Sequence, residues 1–339
     1  MSKNENGVRY IVIALCLAAL AVIFWKISDV VTVAFGGIVG AAVLRGLAIP
    51  LSRRTKLSEG WSITIVLAGL IVVFGITAYL FGQQIADQTT QLERLVPQAV
   101  HDITTSLQKS KLGSTLVERV KHSADDSSML SHVGLAAGAL VGGIADALLI
   151  FFLSIYFAYT PREYLHGFLR LVPPRYRRRV ESALVDSGEA LLKWLLAQLA
   201  AMVVIGLLVG VGMAFLGLPL ALLLGVVAGL LEFIPVVGAL LFTIPGVLVA
   251  FTQGPETALY ALLIYIGVQQ LESNVVIPLF QRWAVRLPPA ITLLSVVIGG
   301  ILLGAPGVVF ATPLAVVVMT LVKHLYVEDM LEHHHRKPA

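Results

Sequence analysis

Long apolar runs separated by short polar breaks organise this 339-residue chain. A bilayer crossing needs about 20 mostly apolar residues. On that measure the runs predict helices near 9–26, 28–50, 61–83, 134–159, 194–217, 219–251, 257–280 and 288–326. The expected fold is all-α, a polytopic membrane protein with about eight transmembrane helices. The runs at 219–251 and 288–326 are too long for one simple crossing at about 1.5 Å per residue. Both carry prolines and glycines near their middles, so broken or re-entrant segments are predicted near 229–246 and 299–314. Such breaks are tolerated at membrane depth only where the backbone is buried or lines a polar cavity.

The one sizeable hydrophilic region is 84–133. Within it Ile85, Leu92, Val96, Val100, Ile103 and Leu107 make a single apolar stripe on a helix, interrupted at Pro97. Leu112-Gly113-Ser114 reads as a turn, and Leu116, Val117 and Val120 begin a second short amphipathic helix. The expectation is an extracytoplasmic arm lying on the membrane or on neighbouring subunits, with a ligand-capturing lid as the alternative. The chain thus divides into N-terminal transmembrane helices (1–83), the arm (84–133), and a fourth span with a basic cytoplasmic loop (134–193). A C-terminal transport region (194–326) and a tail (327–339) complete it.

Composition supports the membrane reading. Hydrophobic residues make up 58% of the chain and charged residues 13%, against ~45–50% and ~25% in soluble domains. No Lys, Arg or His lies between Lys193 and Arg282, and no ionisable side chain between Leu287 and Val322. With eight crossings and a cytoplasmic N-terminus, segments 1–10, 45–60, 160–193 and 323–339 are cytoplasmic, and they hold 16 of the 24 Lys and Arg. The expected location is a bacterial cytoplasmic (inner) membrane with both termini inside. The net charge of +4 gives no reason to expect nucleic acid, since the basic residues gather in loops on one side. Cys16 is alone, so neither a disulfide framework nor a thiolate metal site is expected. The run Ile11–Trp25 lacks a small-x-small cleavage site and reads as a retained helix rather than a signal peptide.

Three carboxylates fall at membrane depth: Asp146, Glu232 and Glu272. An acid at a helix centre costs on the order of 2.5–3.5 kcal/mol by insertion scales, so it is expected to face the protein interior or a water cavity. None has a basic residue nearby in its own helix. Burial without a cationic partner disfavours the charged form, the property a proton- or cation-coupled carrier needs. The bland alternative is a neutral acid donating one hydrogen bond to a carbonyl. Glu272 sits among Gln269, Gln270, Ser273 and Asn274, and Gln198 is a further polar residue that a folded bundle would bring to face them. One wet substrate or ion path would account for the whole cluster, whereas interhelical glue at ~0.6–2 kcal/mol per bond accounts for part of it. Pro235 follows Glu232 within a turn and removes a backbone hydrogen bond. Gly238, Pro278, Gly304, Pro306, Gly307 and Pro313 are the other expected break or hinge positions. Against that, Gly206/Gly210, Gly225/Gly229 and Gly300/Gly304 have the four-residue spacing of simple helix packing.

Enzyme signatures do not occur in the sequence: there is no Gly-x-Ser-x-Gly elbow, His-Glu-x-x-His or Walker loop. Neither a metal nor another cofactor is expected. His333-His334-His335 reads as a tail, and the run Arg175–Arg179 after Pro173-Pro174 reads as an anchor to anionic headgroups.

Several stretches together resemble the autoinducer-2 exporter (PerM-like permease) family. They are Gly217-Leu218-Pro219, Glu232-Phe233-Ile234-Pro235-Val236-Val237-Gly238, Gln270-Leu271-Glu272-Ser273-Asn274-Val275-Val276-Ile277-Pro278, Leu287-Pro288-Pro289-Ala290 and Gly304-Ala305-Pro306-Gly307 through Thr312-Pro313. Ala239 departs from the pattern, where a proline is expected after the glycine. The resemblance implies a homo-oligomeric secondary carrier with a mobile transport part against a scaffold. It associates the family with export of the quorum-sensing signal autoinducer-2 and, in some members, with sodium/proton exchange. It carries over to Glu232, Pro235, Gly238, Gln270, Glu272, Asn274, Pro278, Gly304, Gly307 and Pro313. The expected function is therefore proton- or sodium-coupled export of a small polar solute, not catalysis. The alternatives are a sodium/proton antiporter without organic substrate and a non-transporting membrane scaffold.

Overall fold

The computed structural model describes residues 3–108, 129–281 and 287–326. Its described residues are helical, with no strand among them. In chain order the helices are α1 (Lys3–Thr55), α2 (Glu59–Gln108), α3 (Met129–Tyr159), α4 (Pro161–Arg170), α5 (Arg177–Phe215), α6 (Ala221–Leu231), α7 (Val237–Phe251), α8 (Pro255–Leu271), α9 (Ile277–Gln281) and α10 (Pro289–Val322). Among the described residues, five helical stretches are long and apolar enough, by length and composition alone, to cross a membrane, one of them the α10 stretch that is broken at Gly304. The all-α, polytopic expectation holds.

Three details of the expected span list are corrected. Helix α1 runs through the expected turn near residue 27, so 9–26 and 28–50 belong to one element. Lys26, Ser28 and Asp29 interrupt the hydropathy there, but no proline or glycine stops the helix. Lys3 and Arg53-Arg54 consequently lie at opposite ends of α1, which conflicts with the eight-crossing arrangement that put 1–10 and 45–60 on one side. The start of the hydrophilic arm is likewise a direct continuation of the third span in α2. The turn at 112–114 and the second amphipathic helix lie outside the described residues, as do the tail and its histidines.

The two predicted breaks are present, and both reverse the chain. In the first, α6 stops at Leu231 and α7 starts at Val237, with residues 232–236 as the tip. Pro235 has no N–H to continue the ladder, and Val236 takes φ 70, ψ −53. Gly238 packs directly on the Leu231 carbonyl, so the returning arm has no room for a side chain there. In the second, α10 turns at Gly304 (φ 65, ψ −147), a conformation that glycine adopts readily and other residues do not. The arms fold together closely enough that a Cβ on Gly299 would stand 2.5 Å from the Gly307 oxygen and 3.1 Å from Ala311 Cβ.

Hairpin α6–α7 lies along α5. Backbone meets backbone there: a Cβ on Gly225 would fall 2.7 Å from Gly210 Cα and 2.8 Å from the Gly206 oxygen. The packing role expected of the 206/210 and 225/229 pairs is thus what these glycines do. In the 300/304 pair Gly304 is the turn itself, and the close approach is Gly299 to Gly307. The largest core cluster joins α5, this hairpin and α8 through Ile205, Val209, Met213, Leu224, Phe242 and Tyr265. A second joins α1, α5 and the returning arm of α10 through Val39, Leu191, Trp194, Leu195 and Val316. Gln88 of α2 reaches the hairpin and accepts a hydrogen bond from the Leu223 N–H at 2.9 Å, satisfying a donor in the first turn of α6.

One end of the bundle collects the basic segments. Arg45 donates to Glu59 and to the Ala158 carbonyl, both at 2.9 Å, tying the ends of α1, α2 and α3. At that end Arg179 donates to the Leu325 carbonyl, and His324 pairs with Asp186 at 3.0 Å, fixing the end of α10 beside the start of α5.

Candidate functional site

Both hairpins and a defect in a third helix converge on one cavity of about 200 Å³. Helix α5 contributes Trp194, Ala197, Gln198 and Ala201. The first hairpin contributes its tip, Glu232, Pro235 and Val236, and the second contributes Thr292 and Thr312 from its two arms. Between α8 and α9 the residues Glu272–Val276 form one π-helical turn, which brings Glu272 and Val276 to the same cavity. A π-turn inserts a residue into the helix, and such defects recur at functional sites. Gln198 lies about 32 Å along an α5 of about 58 Å at ~1.5 Å per residue, and about 6 Å inside the apolar run that begins at residue 194.

The electrostatics are one-signed. Glu232 and Glu272 are 2% and 6% exposed, and their carboxyl groups are close enough to interact directly. Among the described residues, nothing cationic lines the cavity. Glu272 accepts a hydrogen bond from Gln269 Nε2 at 2.8 Å, which orients it. Gln198 Nε2 donates to the Glu232 backbone carbonyl at 2.5 Å and so fixes the hairpin tip to α5. Of the buried oxygens without a hydrogen-bond partner among the described residues, Glu232 Oε2 and Thr312 Oγ1 line the cavity, while Tyr265 Oη lies in the core. A buried polar atom left without a partner costs roughly 1–3 kcal/mol, and in a native structure it marks a place where a ligand, ion or water is accommodated. Val236 adds a second cost: a β-branched residue at positive φ is an outlier worth about 1–3 kcal/mol, of the kind concentrated at functional sites.

The expected site residues separate into two groups. Gln198, Glu232, Pro235 and Glu272 line the cavity, Gln269 supports it through Glu272, and Gly238, Gly304 and Gly307 build the hairpins that shape it. Pro313 is buried directly after Thr312, whereas Pro278 and Pro306 are exposed. Gln270 and Asn274 are not in the cavity. They are exposed on the other side of the helix and bond each other, Asn274 Nδ2 to Gln270 Oε1 at 3.1 Å and to its carbonyl at 2.9 Å. Ser273 is also exposed and bonds the Gln269 carbonyl. The expectation of a single wet path for the whole 269–274 cluster is therefore corrected: the helix divides the cluster between two surfaces. Asp146 is exposed on α3 and away from the cavity. Thr292, Thr312 and Trp194 were missed as lining residues. The signal for Thr312 was its place before Pro313 in a predicted break, where a polar side chain in an apolar arm has few backbone partners.

Hairpins meeting an interrupted helix around buried carboxyls define a multi-pass membrane protein of the transporter kind, since carriers build their sites at discontinuous helices. Comparison with known sequences agrees. Residues 12–327 match the family described as AI-2E family transporter, and the chain belongs to that family. A Mycobacterium tuberculosis protein provisionally named a transport protein is 28% identical, covering 90% of this chain and 85% of its own length. The Bacillus subtilis protein YueF, named in the same provisional way, is 25% identical over 82% of this chain and 80% of its own. The Escherichia coli protein provisionally named permease PerM is 29% identical over 57% of this chain and 56% of its own.

Proposed function

We propose that this protein is a secondary transporter, coupled to protons or sodium, which exports a small polar molecule, with autoinducer-2 the first candidate. The observation that carries the reading is the pair of buried carboxyls, Glu232 and Glu272, facing one cavity that no cationic side chain among the described residues lines. Two adjacent acids in a poorly solvated site repel one another when both are charged, so either a proton or a bound cation must offset that repulsion. Loading and release of that ion would be coupled to movement of the hairpins, the first carrying Glu232 at its tip and the second Thr292 and Thr312 on its two arms. The orphaned oxygens of Glu232 and Thr312 supply an acceptor and a hydroxyl for a polar solute. In this reading the basic end of the bundle faces the cytoplasm of a bacterial inner membrane. The exposed polar side chains of Gln270, Ser273 and Asn274 suit contact with another copy of the chain.

The test is transport in proteoliposomes with imposed proton and sodium gradients, autoinducer-2 among the solutes. Glu272→Gln is expected to abolish gradient-driven transport while the protein still folds, and full activity in that variant would remove the coupling role. A second reading, sodium/proton exchange without an organic substrate, is favoured by cavity size. At about 200 Å³ it is smaller than the ~300–1,000 Å³ of sites for drug-sized ligands. Sodium-dependent proton flux in vesicles lacking any organic solute would select it.

A further inference from the structure

Helix α4, Pro161–Arg170, sorts its side chains into three strips at 100° per residue. Leu165 and Leu169 share the strip toward the bundle, and Leu169 is buried. Arg162, His166 and Arg170, spaced four apart, form a second strip. Together with Glu163 and Gly167 they border an open, exposed groove of about 320 Å³ formed by α4 alone. On the far side from the arginines, Tyr164, Phe168 and Leu171 form a third strip, 47%, 52% and 82% exposed.

A soluble surface has no use for that third strip. In a chain that spans a membrane, a short helix with an exposed apolar flank and a cationic flank lies in the plane of the lipid interface. The position agrees, because α4 leaves the end of α3 at the basic end of the bundle, where Arg45 and Glu59 close the neighbouring corner. Arg177 Nε donates to the Val172 carbonyl at 2.9 Å, which brings the Arg175–Arg179 run back against the end of α4. The acids nearby are Glu163, bordering the groove, and Glu59, already paired with Arg45 at 2.9 Å. The groove floor is open, since a Cβ on Gly167 would have nothing within 4 Å. His166 is held along the strip by contact of its Nδ1 with the Arg162 carbonyl at 2.7 Å.

We propose that α4 is an interfacial helix that docks an anionic phospholipid. Tyr164, Phe168 and Leu171 enter the acyl boundary, while Arg162 and Arg170 hold the phosphodiester over Gly167. This site is distinct from the headgroup anchor expected of the Arg175–Arg179 run, and it adds a bound lipid to the link between α3 and α5. It does not depend on the transport reading.

The experiment uses the full chain in detergent micelles, titrated with fluorescent phosphatidylglycerol. Wild type is expected to bind it, with affinity falling as salt rises, and unlabelled phosphatidylcholine should not compete. The double variant Arg162→Gln/Arg170→Gln is expected to bind at least ~10-fold more weakly, near the ~1 kcal/mol per basic residue typical of anionic interfaces. Gly167→Glu fills open space with an anion and should weaken binding similarly without disturbing the fold. In vesicles, Phe168→Cys carrying a fluorophore, on a Cys16→Ala background, should be quenched by acyl-brominated lipid. Unchanged phosphatidylglycerol binding in both groove variants would overturn the proposal. Equal displacement by millimolar inorganic phosphate would overturn it in favour of a free-anion site, and a label shielded by self-association instead of quenched by lipid would overturn it in favour of a second copy.

Discussion

Replacing Gly225 by alanine should loosen the first hairpin from α5, and the structure sets the size of the effect. The new Cβ would stand 2.7 Å from Gly210 Cα, 2.8 Å from the Gly206 oxygen and 3.0 Å from Gly210 N, whereas ordinary contact begins near 3.4 Å. All three obstacles are backbone, so no rotamer change relieves them, and α6 must retreat by about 0.7 Å. Overpacking of this kind costs about 1–3 kcal/mol. Alanine also favours a helix interior over glycine by about 1 kcal/mol, which masks part of the penalty. Gly267→Ala in α8 supplies the correction: it carries the same helix preference, and its Cβ meets nothing within 4 Å. The difference between the two variants therefore isolates the steric cost at ~1–3 kcal/mol, roughly 5- to 150-fold in the folded population. Reversible unfolding in mixed micelles by SDS titration measures both. If Gly225→Ala were as stable as Gly267→Ala, the backbone-to-backbone seam between α5 and α6 would be wrong, along with the placement of the hairpin tip that depends on it.

Three further outcomes follow from the same geometry. Val236→Gly relieves a positive φ and should raise stability by about 1 kcal/mol in the same titration, and an equal or larger loss would mean that the valine side chain holds the tip. Thr312→Val removes a buried hydroxyl without a partner, so it should stabilise by about 1 kcal/mol while lowering solute transport at least several-fold; transport at the wild-type rate would dissociate Thr312 from the site. Asp146→Asn, on an exposed side chain away from the cavity, should leave gradient-driven transport in proteoliposomes unchanged, and loss comparable to Glu272→Gln would place a second ion path on α3.

Much of the architecture was readable from local sequence. Spans appear because lipid requires some 20 apolar residues in a row. The breaks at Pro235–Gly238 and Gly304 appear because proline and glycine act on the backbone they occupy, whatever surrounds them. The apparent boundary near residue 27 failed for the complementary reason: Lys26, Ser28 and Asp29 between apolar runs interrupt hydropathy but not helix geometry. The arm, likewise, looked separable by polarity, yet it begins as the same helix as the preceding span.

Local sequence was enough to establish a helical membrane protein with two broken segments in its C-terminal half and three acids inside apolar runs. Which polar residues share a cavity was settled by packing. It set Glu232, Glu272, Gln198 and Thr312 together, turned Gln270 and Asn274 to the opposite surface, and left Asp146 outside. The physical reason is that a bilayer is as apolar as a protein core, so the faces of a membrane helix are not distinguished by hydropathy. Direction is assigned by packing alone, here by glycine seams between helices and by a π-turn that resets the face of one of them.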